Sequence, residues 1–97
     1  MSMHNPPHPG EFIREVYLEP HGLSARRLAE RLAVSPSTLG RVLNGSSAIS
    51  PEMALRLSHV LGRAPESWLA LQDRHDLHEA RDRVDLRRVK PIDFDAA

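Results

Sequence analysis

Leu23 to Gly45, LSARRLAERLAVSPSTLGRVLNG, decides the fold. Leu28, Ala29 and Leu32 recur at helical spacing, with Ser24 ahead of them as an N-cap. Val34 falls in a tight turn. Ser35-Pro36 opens a second helix: the serine caps, and the proline sits in the first turn, where its missing N–H costs nothing. Leu39, Val42 and Leu43 face inward, and Asn44-Gly45 stops the helix. Two short amphipathic helices joined this way make either a plain αα-hairpin or a helix-turn-helix, whose second helix lies in the major groove of DNA.

Outward from this core the chain reads as all-helical. Pro9-Gly10-Glu11 suits the start of a first helix, with Phe12, Ile13, Val16 and Tyr17 as its apolar face and Pro20 and Gly22 at its end. Ser50-Pro51-Glu52 repeats the start chemistry for a fourth helix carrying Met53, Ala54, Leu57, Val60 and Leu61, ended by Gly62. Pro65-Glu66 opens a fifth, on the weak cap Ala64, so its start is expected to rely on packing by Trp68. Trp68, Leu69, Leu71, Leu77, Ala80 and Val84 carry it to about residue 84. The expected organisation is a flexible tail over 1–8, a helical domain over 9–84, and a C-terminal tail over 85–97. That last tail, strand or extended, holds Leu86, Val89, Ile92 and Phe94. These are too many apolar groups for a solvated segment, and docking on the domain or on a second subunit is expected.

Length and composition set the bounds. Ninety-seven residues, 40% apolar and 4% aromatic, supply one modest core built on Leu, Val and Ala. The absence of cysteine excludes disulfides, Cys-zinc sites and thiol catalysis. No apolar run reaches the roughly 18 residues of a membrane span, and the start MSMHNPPHPG has no leader-like core, so a cytoplasmic protein away from membranes is expected. The net charge is zero, but it is distributed unevenly. Residues 1–22 carry −2, residues 23–63 carry +4, and residues 64–97 carry −2. The basic excess lies on the segment that would meet phosphate, and the acidic flanks are free for a protein partner.

A groove reader needs one face buried to fix its angle and an opposite face of short polar or basic groups that fit a channel about 12 Å wide. Ser35, Ser37, Thr38 and Arg41 supply that face. Ser37 and Thr38 lie in the first turn, the end that approaches base edges. Arg41, one turn on from Ser37, suits guanine or phosphate. Gly40 leaves room for a neighbouring helix or DNA. Asn44, Gly45, Ser46 and Ser47 form a polar loop suited to phosphate, and Arg26 and Arg27 add cationic reach to the backbone. The polar start of the second helix and the segregated charge weigh against a plain hairpin.

The pattern L-S-x-x-x-L-A-x-x-L-x-V-S-x-S-T-L-x-R-V-L-N-G resembles the lambda-repressor-like (XRE/Cro) helix-turn-helix. H-P-G-E at His8–Glu11, I-S-P-E-M-A-L-R-L at Ile49–Leu57 and P-E-S-W-L-A-L-Q at Pro65–Gln72 resemble, more narrowly, the HigA-type (VapI-like) antitoxins. The resemblance spans roughly residues 8–84. It implies a five-helix DNA-binding domain that dimerises and binds the operator of its own operon. It also implies a toxin partner, a ribosome-dependent HigB-type mRNA endonuclease, neutralised in the complex. By position, groove reading falls on Ser37, Thr38 and Arg41, and backbone contacts on Ser35, Asn44 and Ser46. Two departures stand out. Ala25 replaces a glutamine frequent after the first serine of helix two, which bears on sequence specificity, and Ala64 replaces a polar cap, which bears on stability.

Other features read more plainly. Of six histidines, His4 and His8 sit in the proline-rich start and His75 and His78 lie three apart on helix five. No third ligand matches their spacing, so solvated surface histidines are expected and no metal or cofactor. Trp68 is expected as a core or dimer anchor, and EARDRVDLRR as a solvated helix face, with a dimer or toxin contact as the alternative. No catalytic arrangement stands out, so an enzyme is not expected. Three readings remain: an antitoxin, a stand-alone repressor without a toxin, and an interaction module that no longer binds DNA.

Overall fold

The computed structural model describes residues 5–95. Among these, five helical rods and an extended C-terminal segment make up the chain, with no strand. We number the rods α1 to α5. Rod α1 covers residues 9–21 as three continuous pieces, an α-helical Pro9–Ile13, a π-helical Arg14–Leu18 and an α-helical Glu19–His21. It is followed by α2 (Ala25–Leu32), α3 (Pro36–Leu43), α4 (Pro51–Leu61) and α5 (Pro65–Arg83).

Each start is the one the sequence dictates. Ser24, Ser35 and Ser50 hydroxyls accept from the backbone N–H groups of Arg27, Thr38 and Met53, each at 3.1 Å. Ala64 makes no such bond. Instead Trp68, fully buried, donates its indole N–H to the Gly62 carbonyl at 2.8 Å and pins the entry to α5. Two helix ends use left-handed residues. Gly22 (φ 61°) closes α1 and Ala33 (φ 58°) closes α2. In both cases the following N–H reaches five residues back, from Leu23 to Leu18 and from Val34 to Ala29.

One core unites the rods: Ile13 and Leu18 of α1, Leu28, Ala29 and Leu32 of α2, Leu39, Val42 and Leu43 of α3, Met53, Ala54 and Leu57 of α4, and Trp68 and Leu71 of α5, closed by Ile49. Phe12 and Tyr17 pack edge-on or tilted against Trp68, with ring centres 5.9 and 6.0 Å away.

Several expectations are corrected. Val16 is 42% exposed and Leu18 is buried in its place. The π-turn explains this: the Glu19 N–H bonds back to Arg14, five residues away, so the extra residue rotates the following side chains off the simple helical register. The widened turn also accommodates Pro20, whose ring clashes with the preceding turn of a regular helix. On α5, Leu77 and Val84 are about half exposed, because the helix runs on past its last buried residue, Gln72. Gln72 was not foreseen in the core; its Oε1 accepts from the Ile49 N–H at 2.8 Å and its amide donates to Asp76 at 3.0 Å. The C-terminal segment does not dock on its own domain: Leu86, Val89, Ile92 and Phe94 are 63–88% exposed.

The histidines are not all solvated either. His8 caps α1, its Nδ1 accepting from the Gly10 N–H at 2.9 Å, and stacks edge-on to His75 at 5.2 Å. His75 lies 3.1 Å from the Pro6 carbonyl and 3.5 Å from the Glu79 carboxylate. The proline-rich segment runs back along α5 and half-covers both rings. His4 lies outside the described residues.

Candidate nucleic-acid interface

Helix α3 has the two faces a groove reader requires. Leu39, Val42 and Leu43 are buried against the other rods and set its orientation. Ser35, Ser37 and Arg41 are exposed, and Thr38 is half-exposed. At the N-terminus three hydroxyls cluster: Ser35 Oγ donates to Thr38 Oγ1 at 2.8 Å and lies 3.3 Å from Ser37 Oγ. Ser37, Arg41 and Asn44 follow one another at helical spacing along a single stripe. Arg41 forms no ion pair among the described residues, so its guanidinium is available for an incoming anion or base edge. Gly40 opens onto free space, with nothing within 4 Å of where a Cβ would stand. No described helix uses the room it leaves.

Beyond α3, the loop is held by its own polar groups. Asn44 Oδ1 accepts from the Ser46 N–H at 3.0 Å, and the Arg41 carbonyl accepts from the Ser47 N–H at 3.0 Å. Asn44, Gly45 and Ser46 are exposed. Arg26 and Arg27 stand, exposed, in the first turn of α2. They form a separate basic edge, with no hydrogen bond to the polar residues of α3 among the described residues.

Two arginines that sequence reasoning missed hold this frame. Arg56 of α4 donates to the Leu32 carbonyl at 2.7 Å and the Ala33 carbonyl at 3.3 Å, at the C-terminal end of α2, and is itself held by Glu52 at 2.9 Å. A cation there satisfies orphan carbonyls and the negative end of the helix dipole. It also steadies Ala33, whose left-handed backbone costs an L-residue about 1–2 kcal/mol. Arg14 of α1 donates to the Leu43 carbonyl, serving the C-terminal end of α3 in the same way. Gly10 brings α1 close enough that a Cβ would stand 2.1 Å from the Val42 carbonyl oxygen. The only hint in the sequence was a glycine near a helix start, where it lowers helix stability.

Two other site types are not supported. Among the described residues no cluster of three or more His, Asp or Glu is arranged to hold a metal ion. No described helix is long and apolar enough to cross a membrane.

A helix-turn-helix family profile matches residues 13–69. The HTH-type transcriptional regulator YddM of Escherichia coli K12 is 42% identical over 92 residues, covering 95% of this chain and 97% of that protein. Among solved structures, an addiction module antidote protein of the HigA family from Coxiella burnetii superposes with a TM-score of 0.85 at 35% identity, covering 92% of this chain and all of that one. Pseudomonas aeruginosa antitoxin HigA, solved with the higBA promoter, superposes with a TM-score of 0.80 at 28% identity over 94% and 99% of the two chains. The chain belongs to the helix-turn-helix family of lambda-repressor-like regulators, in its HigA-type, VapI-like branch.

Proposed function

We propose that this protein is a homodimeric, operator-binding antitoxin that represses its own operon and neutralises a HigB-type mRNA endonuclease by direct binding in the cytoplasm. One observation carries the DNA half: the outer stripe of α3 is polar, basic and unpartnered, while its inner stripe is buried. The likeness to a HigA solved with its promoter supports the same reading. In this proposal Ser37, Thr38 and Arg41 read base edges, and Ser35, Asn44, Ser46, Arg26 and Arg27 contact the backbone. Residues 9–84 act as the binding unit. Two copies related by a two-fold axis then read an inverted repeat with half-sites roughly 34–36 Å apart.

The toxin half rests on charge. Glu11, Glu15 and Glu19 recur every fourth residue along α1 and are all exposed, an acidic stripe suited to a basic nuclease. Two experiments test the proposal. A gel shift uses the DNA upstream of the gene. Co-expression with the adjacent gene product is followed by pull-down and growth rescue. Retarded DNA together with a captured, silenced neighbour is the expected result; no shift at low salt refutes the DNA half, and no capture refutes the toxin half. A stand-alone repressor is the second reading, favoured by relatives named only as transcriptional regulators. A gene neighbourhood without a small basic protein decides for it.

A further inference from the structure

The C-terminal segment is shaped but unpacked. Asp85 grips Arg87 at 2.8 Å, the Val89 N–H closes a turn on the Leu86 carbonyl at 3.0 Å, and Asp93 accepts from the Asp95 N–H at 3.0 Å. Yet Ile92 is 72% and Phe94 88% exposed. At the tip, Ile92-Asp93-Phe94-Asp95 alternates large apolar and acidic groups.

A hollow of the opposite character lies on the body. Between α2 and α4 a groove of about 350 Å³ has Leu32, Leu55 and Val60 as its apolar lining and Arg31, Arg56 and His59 around them. It continues past Arg31 and His59 into a second hollow of about 520 Å³, which reaches Arg27 and Leu61. Arg31 has no carboxylate partner among the described residues, and Leu55 is 61% exposed at the mouth.

We propose that the tip of the C-terminal segment, Ile92 to Asp95, docks in the α2–α4 groove of a second copy of this chain, reciprocally across the dimer. Ile92 and Phe94 cover Leu55 and Val60, and Asp93 and Asp95 face Arg31 and His59. Charge picks the occupant, because the groove is cationic and apolar and the tip is acidic and apolar. Topology points to a second copy. The Ile49–Gln72 bond sets α5 antiparallel to α4, and α5 then runs eleven residues, about 16 Å, beyond Gln72. The segment therefore leaves from the end of the α4–α5 hairpin opposite Leu61, and the molecule is drawn out to 60 Å against 28 and 23 Å. The inference rests on the homodimer proposed above and adds which surfaces make it.

The cysteine-free chain allows a direct test. Chains carrying Phe94→Cys are mixed with affinity-tagged chains carrying Leu55→Cys, both exposed positions, and oxidised at concentrations where sedimentation shows dimers. The expected product is a tagged–untagged disulfide dimer. Only like-with-like links, or none, overturn the docking while leaving the dimer intact. A wild type that sediments as a monomer at all concentrations removes the dimer and the docking together. Charge reversal supplies a second readout. Arg31→Glu is expected to weaken dimerisation by roughly tenfold, with recovery on adding Asp93→Lys and Asp95→Lys. Weakening without recovery counts against the pairing.

Discussion

Arg41 projects from the outer stripe of α3 with no carboxylate holding it. Removing it therefore takes away an outward contact and no internal one. Arg41→Ala is expected to weaken operator binding by about 1–3 kcal/mol if the contact is bidentate, with an unchanged melting temperature. Fluorescence anisotropy with the native operator measures this, and equal affinity for both proteins takes Arg41 out of the groove. His8 is the opposite kind of residue, turned inward and sensitive to protons. Its Nδ1 accepts from the Gly10 N–H, which requires a neutral ring. Partial burial first, and then neighbouring His75, hold its pKa below the ordinary 6.5, with Asp76 and Glu79 offsetting part of the effect. The unfolded chain thus takes up this proton more readily. The contribution of His8 to stability is complete above about pH 6.5 and declines as pH falls through that value toward the folded-state pKa. His8→Asn keeps a capping oxygen but cannot titrate. Its melting temperature is expected to drop less than that of the wild type between about pH 7.5 and 5.5. Parallel drops in the two proteins would assign the sensitivity to other groups.

The elements divide into those that present the site and those that hold it. Leu39 is buried beneath the polar outer face of α3, so Leu39→Ala is expected to destabilise the domain by about 2–5 kcal/mol in urea unfolding, with operator binding recovered where the protein remains folded. Gly10 works at a distance from that face. A methyl there collides with the Val42 and Leu43 carbonyls, which are backbone and cannot swing aside. Gly10→Ala is expected to lift α1 off the end of α3, with a stability loss of at least about 1–3 kcal/mol. A melting temperature equal to wild type would show that α1 has room to spare. These two positions also show what the sequence made legible. Leu39 was readable because helical period and capping chemistry are local signals, and the same signals gave all five rods and the candidate face on α3. Gly10, Arg14, Arg56 and Gln72 were not readable, because each acts on backbone groups 23 to 33 residues away. Val16 was misplaced and Leu18 overlooked for a related reason: a π-turn shifts the register without changing residue type. The histidines were misread as solvated because burial of His8 and His75 depends on a contact 69 residues apart in the chain, between Pro6 and His75.

At the scale of the whole molecule a net charge of zero hides a segregated arrangement, a basic middle between two acidic ends of the sequence. Half of the six arginines in the basic middle are turned to other uses. Arg56 is tied to Glu52 and the α2 carbonyls, Arg63 lies 5.0 Å over the Phe12 ring and donates to Ser67, and Arg31 opens into the α2–α4 groove. Arg26, Arg27 and Arg41 are the cations left for the nucleic-acid face, three per chain and six in a dimer. With Arg41 on base edges and Arg26 and Arg27 each neutralising one phosphate, the dimer contacts four phosphates this way, and log affinity against log salt should fall with a slope of about −4. Replacing Arg26 and Arg27 by alanine removes those four phosphate contacts and leaves only Arg41 on the bases, and the slope should collapse toward zero while base-edge binding persists at low salt. Total charge makes a different prediction. If net charge set affinity, a neutral protein would show almost no salt dependence, and the double variant, now net acidic, would not bind. A slope series from about 50 to 200 mM salt with the native operator therefore decides whether placed arginines or the overall balance brings the protein to DNA.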